Sequence, residues 1–157
     1  MSINVSLRAV TRDNFDEVTK LPLLDHQAGF LDSNAYSIAE ASFHPNYHTR
    51  AIYDGEQLVG FLMFVSLAEE GDPGEYSIYR FMIDHRRQGA GLGRRALALV
   101  LQEVAARPGA AGMWICYSPL NLPAKIFYAS AGFAETEIDD EGEMWAHIAF
   151  PTPPLVS

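Results

Sequence analysis

The 157-residue chain is poor in cysteine, and it has no long hydrophobic run. Its single cysteine, Cys116, can form neither an internal disulfide nor a cysteine-ligated zinc site, which favours a cytoplasmic protein. We expect that thiol to be an inert core residue of an apolar strand. No apolar stretch approaches the ~18–20 residues of a transmembrane helix, and the alternating N-terminal residues lack a signal-peptide core. These absences predict no membrane association.

Basic side chains are also scarce. Eleven Lys and Arg against 20 Asp and Glu give a formal net charge of −9. This balance argues against nucleic-acid binding and favours a small cationic partner. The histidines show no metal-ligand spacing, so we expect no metal. Four of the basic residues nevertheless fall within ten positions and indicate an anion site: Arg86, Arg87, Arg94 and Arg95.

No repeat, low-complexity tract or linker divides the sequence, and its composition excludes long disorder. We therefore expect a single domain over residues 1–150, followed by a flexible proline-rich tail at 151–157. Hydrophobic periodicity predicts the order β-α-α-β-β-β-α-β-α-β-β. Hairpins alternate with crossover helices in this order, which makes an α/β fold with a mixed sheet. Ser33 is the expected cap of the second helix, and Asp54-Gly55 the expected hairpin turn.

A glycine-rich turn joins the strand ending at Ile83 to a long amphipathic helix. The first amides of a helix lack intrahelical acceptors and carry the positive end of its dipole. Glycines let a phosphate approach this backbone closely, and flanking arginines add charge-assisted contacts. We therefore expect a phosphate ligand at this turn: Gln88, Gly89, Ala90, Gly91, Leu92, Gly93 and Arg94.

Several phosphate ligands fit such a turn. No P-loop pattern is present. The segment Gly91–Ala96 satisfies the dinucleotide pattern G-x-G-x-x-G/A, but the acid expected roughly 20 residues later is missing. An NAD(P)-linked protein is therefore disfavoured. A helix-entry turn without any ligand is the remaining alternative.

Two motifs carry a resemblance to a known family. The segment Gln88–Gly93 (QGAGLG) resembles the acetyl-CoA signature Q/R-x-x-G-x-G/A of the Gcn5-related N-acetyltransferases, the GNAT superfamily. A later helix resembles that family's N-x-x-A-x-x-x-Y motif followed by Gly-Phe: Asn121, Ala124, Phe127, Tyr128, Gly132 and Phe133. The resemblance implies a mixed central sheet with flanking helices, and direct attack of a primary amine on acetyl-CoA. Ser33–Ala41 and Tyr76–Asp84 further resemble the bacterial spermidine/diamine acetyltransferases.

The resemblance also assigns cofactor contacts. It places Phe81, Met82 and Ile83 beside the pantetheine arm, where a backbone N–H would hold the developing oxyanion. These three side chains are also expected core residues. Residues 89–94 would donate amides to the pyrophosphate. Asn121 would bind the pantetheine amides, or simply cap its helix.

Tyr128 is the acid that the resemblance implies. A phenol is protonated at neutral pH and can protonate the departing thiolate. The alternative is an aromatic packed on an amphipathic helix. The family often uses a carboxylate as base on the strand before the turn. By strict alternation, Ser77, Tyr79, Phe81 and Ile83 share one face of that strand. The only carboxylate on this face is Glu75, at its start, so Glu75 and Tyr79 are the candidates. Glu75 is equally a solvated charge.

The acceptor is the least specified partner. A polyamine needs spaced carboxylates, and four are candidates: Glu40, Glu69, Glu70 and Asp72. Acidic runs at loop tips are otherwise solvated surface. Another small amine, a protein N-terminus, or a non-catalytic acyl-CoA sensor are the alternative functions. Family members are often homodimers, which the resemblance extends to this chain.

Overall fold

The computed structural model describes residues 3–22 and 33–151. The helices and strands in this part of the chain follow the predicted order. They are β1 (Val5–Ala9), α1 (Phe15–Thr19), α2 (Asn34–Phe43), β2 (Tyr47–Asp54), β3 (Gln57–Ser66), β4 (Glu75–Ile83), α3 (Leu92–Ala105), β5 (Gly112–Tyr117), α4 (Leu122–Ser130), β6 (Ala134–Ile138) and β7 (Met144–Ala149). Short 3₁₀ turns lie at Ala68–Glu70 and His85–Arg87.

The strands form one mixed sheet in the order β1-β2-β3-β4-β5-β7-β6. Strands β4 and β5 run parallel, whereas β1 with β2, β2 with β3, and β7 with both of its neighbours are antiparallel. The predicted α/β class with a mixed sheet is confirmed. Within residues 3–22 and 33–151, no helix is both long and apolar enough to cross a membrane. The predicted tail, beyond its first residue, lies outside the described residues.

The backbone divides into two compact units. The first contains the described part of Met1–Val65 together with Ile78–Val100. Its core is built from strands β2, β3 and β4 and from α1, with these buried side chains: Val18, Ala51, Tyr53, Phe61, Met63 and Met82. Ser33 caps α2 as predicted, since its Oγ accepts the Tyr36 N–H at 3.0 Å. The hairpin also turns where predicted, with Asp54 opposite Gln57 and Gly55 at a φ of 60°.

The second unit contains Ser66–Ser77 and the described part of Leu101–Ser157. Here β5 pairs with β7 along its whole length, and Asn121 caps α4 by accepting the Ala124 N–H at 3.1 Å. The prediction that Cys116 is a core residue is wrong, because its side chain is exposed. The run of apolar residues in β5 suggested burial on both faces. Ile115 and Tyr117 are buried, but Cys116 points to the opposite face, where its own side chain is exposed.

Candidate active site

Strand β4 departs from regular alternation just before the glycine turn. The Tyr79 ring meets Tyr47 of β2 edge to face, with centroids 5.5 Å apart. The Ile83 side chain instead lies beside Gly60 and Ile52. Tyr47 and Ile52 point to opposite faces of β2, because they are five positions apart along a regular part of the strand. The prediction that Tyr79 and Ile83 share one face is therefore wrong.

The irregularity lies at Arg80 and Phe81. Met82 belongs to the same buried cluster as Ala51 and Phe61, which places it on the face of Tyr47 together with Tyr79. Two such residues three positions apart cannot share a face of a regular strand. Irregularities of this kind redirect peptide groups and side chains, and they are common next to active sites. This one falls at the start of the stretch Phe81–Ile83, for which the sequence predicts main-chain contacts.

The glycine turn follows directly after this irregular strand. Gly89 and Gly91 have φ values of 89° and 83°, a left-handed conformation that other residues rarely adopt. Both glycines are exposed, and a Cβ added at Gly89 would meet no atom within 4 Å. Leu92 begins α3 and is buried, with 1% of its surface exposed, so it anchors the helix start. The turn therefore presents open backbone at a helix N-terminus, as an anion site requires.

The four clustered arginines have two different environments. Arg86 pairs with Asp84 through a 2.7 Å contact, and Arg87 pairs with Asp54 through a 2.8 Å contact. Carboxylates therefore engage two of the four arginines of the predicted anion site. Arg94 and Arg95 lie exposed on the first turn of α3. The Gln88 side chain donates to the Ile83 carbonyl at 3.0 Å, which ties the turn to the end of β4.

Tyr128 of the second unit is buried, with 9% of its surface exposed. Its ring stacks on Tyr117 and meets Phe127 and Phe133 edge to face. Burial raises the pKa of the Tyr128 phenol well above its ordinary value, and the neighbouring Cys116 and Tyr117 raise it further. The packed aromatic and the proton donor expected from the sequence are therefore compatible: this phenol keeps its proton at neutral pH.

Glu75 is held by a partner that the sequence did not suggest. Its Oε1 lies 2.9 Å from His147 Nε2 of β7, and both side chains are about three-quarters buried. A Cβ at Gly112 would collide with this imidazole and would lie 2.6 Å from Glu75 Oε2, so the pair requires a glycine there. The Trp114 ring packs 4.5 Å from that of His147. Glu75 and His147 are 72 residues apart, and only the register of β4, β5 and β7 brings them together.

The remaining acidic candidates are more open. Glu69, Glu70 and Asp72 are exposed in the turn before β4, in the second unit. Glu40 lies partly exposed on α2, in the first unit. Within the described residues, no group of three or more His, Cys, Asp or Glu side chains is placed to hold a metal ion. His26 lies outside those residues.

The first unit therefore contains Phe81–Ile83, the glycine turn, Tyr79 and Glu40. The second unit contains Tyr128, Asn121, Glu75 and the acidic turn.

Residues 15–133 match a family model described as the acetyltransferase (GNAT) family. The chain belongs to this family. It is a GNAT N-acetyltransferase, and enzymes of this family use acetyl-CoA.

One curated protein and two solved structures are similar to this GNAT chain. Spermine/spermidine N(1)-acetyltransferase of Bacillus subtilis is 31% identical over 147 residues, which cover 91% of this chain and 95% of that protein. The fold is similar to that of an acetyltransferase from Thermus thermophilus, with a TM-score of 0.71, 18% identity and coverage of 92% and 96% of the two chains. The fold is also similar to that of an aminoglycoside acetyltransferase in complex with coenzyme A. The TM-score is 0.77 at 16% identity, and the match covers 93% of this chain and 95% of that one.

Proposed function

We propose that this enzyme transfers an acetyl group from acetyl-CoA to a primary amine of a polyamine or diamine such as spermidine. The observation that carries the proposal is the 31% identity, over nine-tenths of the chain, to a spermine/spermidine N(1)-acetyltransferase. The formal charge of −9 supports it, because an acidic protein attracts cationic substrates.

The glycine turn fits the diphosphate of the donor. Gly89 and Gly91 expose backbone in a left-handed conformation without a Cβ in the way, and the start of α3 adds the helix dipole. We assign to the donor the amides of residues 89–94, together with Gln88, the side chain of Arg94, and the main chain of Phe81, Met82 and Ile83. Asn121 caps α4 through its Oδ1, and we assign its remaining polar atoms to the pantetheine arm.

When bound, acetyl-CoA supplies a thioester whose carbonyl carbon a neutral amine can attack directly. A backbone N–H from Phe81–Ile83 would donate to the carbonyl oxygen as negative charge develops on it. The Tyr128 hydroxyl would donate to the leaving sulfur, because the raised pKa of this phenol keeps its proton in place. Each group stabilises charge that appears only as the reaction proceeds.

Removal of the proton from the amine falls to Glu75 or Tyr79. Glu75 is a hydrogen-bonded carboxylate beside His147, which could pass on a proton that the carboxylate accepts. Tyr79 lies two residues before Phe81, and it would act through a water molecule. Glu75→Gln and Tyr79→Phe distinguish the two. Loss of the base should lower kcat by about 100-fold in one variant only.

The acceptor contacts are assigned to carboxylates. Glu69, Glu70 and Asp72 form an exposed acidic turn, and Glu40 is partly exposed on α2. A polyamine carries ammonium groups separated by methylene linkers, so it needs carboxylates spaced apart rather than one compact site. Individual exposed contacts are worth roughly 0.2–1 kcal/mol, so the effect of neutralising them should accumulate over the set.

The test is steady-state release of the CoA thiol across an amine panel. Spermidine, spermine and putrescine are compared with an aminoglycoside, free amino acids and a short peptide with a free N-terminus. The protein carries Cys116→Ser, because the exposed thiol would otherwise react with the detection reagent. CoA binding is measured by calorimetry in parallel.

The outcomes separate the hypotheses. Turnover concentrated on polyamines or diamines supports the proposal, and so does an increased KM for spermidine in a Glu69→Gln, Glu70→Gln, Asp72→Asn variant. Turnover concentrated on the aminoglycoside or the peptide overturns the polyamine assignment. CoA binding without turnover of any amine favours an acyl-CoA sensor instead.

A further inference from the structure

Asp84, the first residue after β4, is a buried carboxylate with 3% of its surface exposed. Its backbone N–H donates to the Val59 carbonyl at 2.7 Å, which ties the start of the turn to β3. Its Oδ1 accepts the backbone N–H of Arg86 at 3.0 Å and so begins the 3₁₀ turn His85–Arg87. Asp84 is therefore bound both to the sheet behind it and to the turn ahead of it.

The side chain of Arg86 completes this arrangement. Its Nη2 donates to Asp84 Oδ2 at 2.7 Å, and its Nε lies 3.1 and 3.2 Å from the two carboxylate oxygens. The guanidinium holds the pKa of the Asp84 carboxyl below its usual range, through hydrogen bonding first of all. A buried charge destabilises a protein unless it is paired in this way. An apolar residue could neither accept the Arg86 N–H nor pair with its guanidinium, so the carboxylate fixes the turn as well as filling space.

Two further contacts hold the same stretch of backbone. Arg87 Nη2 donates to Asp54 Oδ2 at 2.8 Å, and Asp54 Oδ1 accepts the Asn4 N–H at 2.8 Å. The Gln88 side chain donates to the Ile83 carbonyl at 3.0 Å. The backbone from residue 84 to residue 88 is therefore fixed on both sides before the chain reaches Gly89. Donors that are fixed before a ligand arrives bind it more tightly, because no ordering is required on binding.

We propose that Asp84 is a positioning residue, which holds the glycine turn in the conformation that binds the diphosphate of the acyl donor. This inference rests on the proposed function, because it presupposes a CoA thioester at the turn. Asp84 itself is buried, so we assign it no direct contact with the donor. It acts through Arg86 and the 3₁₀ turn, whereas Arg94 contributes charge directly from the exposed first turn of α3.

The test compares two acyl donors. Acetyl-CoA carries the diphosphate, and S-acetyl-pantetheine lacks the whole nucleotide half. In Asp84→Asn we expect kcat/KM for acetyl-CoA to fall about tenfold or more through KM, with kcat and the kcat/KM for S-acetyl-pantetheine within about twofold of the parent. The Kd of CoA measured by calorimetry should rise by the same factor as KM.

The dependence of CoA affinity on NaCl distinguishes a lost charge from misplaced backbone amides. Arg94→Gln should weaken the dependence of CoA affinity on NaCl, because a cationic contact is removed. Arg86→Lys should retain the parent's dependence on NaCl, because it preserves the charges of the Asp84–Arg86 pair and misplaces only neutral amides. Glu56→Gln is the matched control, because it breaks the exposed Arg8–Glu56 ion pair of the same unit and should change neither donor's kinetics.

Arg86→Lys keeps the positive charge but loses the bidentate contact with Asp84. It should therefore raise the KM for acetyl-CoA and the Kd of CoA as Asp84→Asn does, but by a smaller factor. This variant carries the test if Asp84→Asn does not fold. Equal losses on both donors would make Asp84 merely structural and overturn the inference, as would an unchanged Kd for CoA. If the parent protein itself binds no CoA, the proposed function fails, which is a different result from any of these.

Discussion

The ring of Tyr128 lies nearly parallel to that of Tyr117, with centroids 5.8 Å apart and an angle of 14° between the planes. Phe127 and Phe133 meet the Tyr128 ring edge to face, so aromatic groups fix its orientation from several directions. A phenol held in this way has few rotamers, which suits a donor that must meet one leaving atom. The same packing buries the ring and raises the pKa of its hydroxyl.

Removal of the Tyr128 hydroxyl should therefore affect catalysis more than folding. Tyr128→Phe keeps the stacked ring, and we expect kcat to fall about 100-fold with little change in KM. The thermal midpoint should stay within about 3 °C of the parent, because the packing is retained. Tyr117→Phe is the control, since it keeps the same ring pair and should retain kcat. Full turnover in Tyr128→Phe would remove the acid assignment.

Burial of Tyr128 also predicts a loss of stability in alkali. A tyrosine in the unfolded chain ionises near pH 10, whereas the pKa of Tyr128 in the folded protein is higher. Its stabilising effect is therefore complete below about pH 10 and is lost as the pH rises from there towards the folded value, by about 1.4 kcal/mol per pH unit. The urea midpoint should fall between about pH 8 and about pH 10.5, and this fall should be smaller in Tyr128→Phe than in the parent. An equal fall would mean that the phenol already ionises normally in the folded protein.

Gly60 allows β3 to approach β4 closely at Met82. A Cβ at this position would overlap the Met82 carbonyl oxygen and crowd the side chains of Ile83 and Ile52. A backbone oxygen cannot move aside as a flexible side chain can. We expect Gly60→Ala to lower the free energy of unfolding by about 1–3 kcal/mol. It should also raise the KM for acetyl-CoA, because Met82 and Ile83 would shift.

A substitution at a second glycine serves as the comparison for Gly60→Ala. Gly55 has a φ of 60° and no atom within 4 Å of an added Cβ. Asparagine tolerates that conformation, so Gly55→Asn should change the free energy of unfolding by less than about 1 kcal/mol and leave the KM unchanged. If both variants behave alike in urea titrations, the close approach at Met82 has no energetic consequence.

Cys116 should react in the native state. Its thiol is exposed on β5, so a disulfide reagent should label the folded protein about as fast as the protein unfolded in urea. Cys116→Ser should give no reaction and should retain the parent's thermal midpoint within about 2 °C. Labelling that appears only in urea would restore the core position that the sequence suggested.

Local chemistry is what made the fold predictable. The Ser33 cap, the Asp54-Gly55 turn and the glycine turn each depend on residues within a few positions of one another, and all three are where the sequence places them. The element order follows from these boundaries together with hydrophobic periodicity. The same pattern predicts the donor's turn, because a phosphate site needs only a strand, glycines and a helix start in succession.

Long-range pairing is what the sequence could not supply. Arg87 is 33 residues from Asp54, and His147 is 72 residues from Glu75, so nothing local marks either pair. The irregularity at Arg80–Phe81 also could not be predicted from the sequence, because side chains are expected to alternate strictly along a regular strand. These contacts decide which arginines remain open to an anion and how the candidate base is held.

Strand β6 is the last strand of the sheet formed by the described residues, and every side chain along it is exposed. An open edge can recruit a strand from another molecule, and charged side chains oppose this. Glu137 lies exposed on that strand, whereas Glu135 is paired with Lys125 at 3.2 Å, so a second copy pairing there would bring the Glu137 side chains of the two copies towards each other. Neutralising Glu137 would remove this protection without any change of solvent. Glu137→Gln should therefore self-associate more readily than the parent in analytical ultracentrifugation.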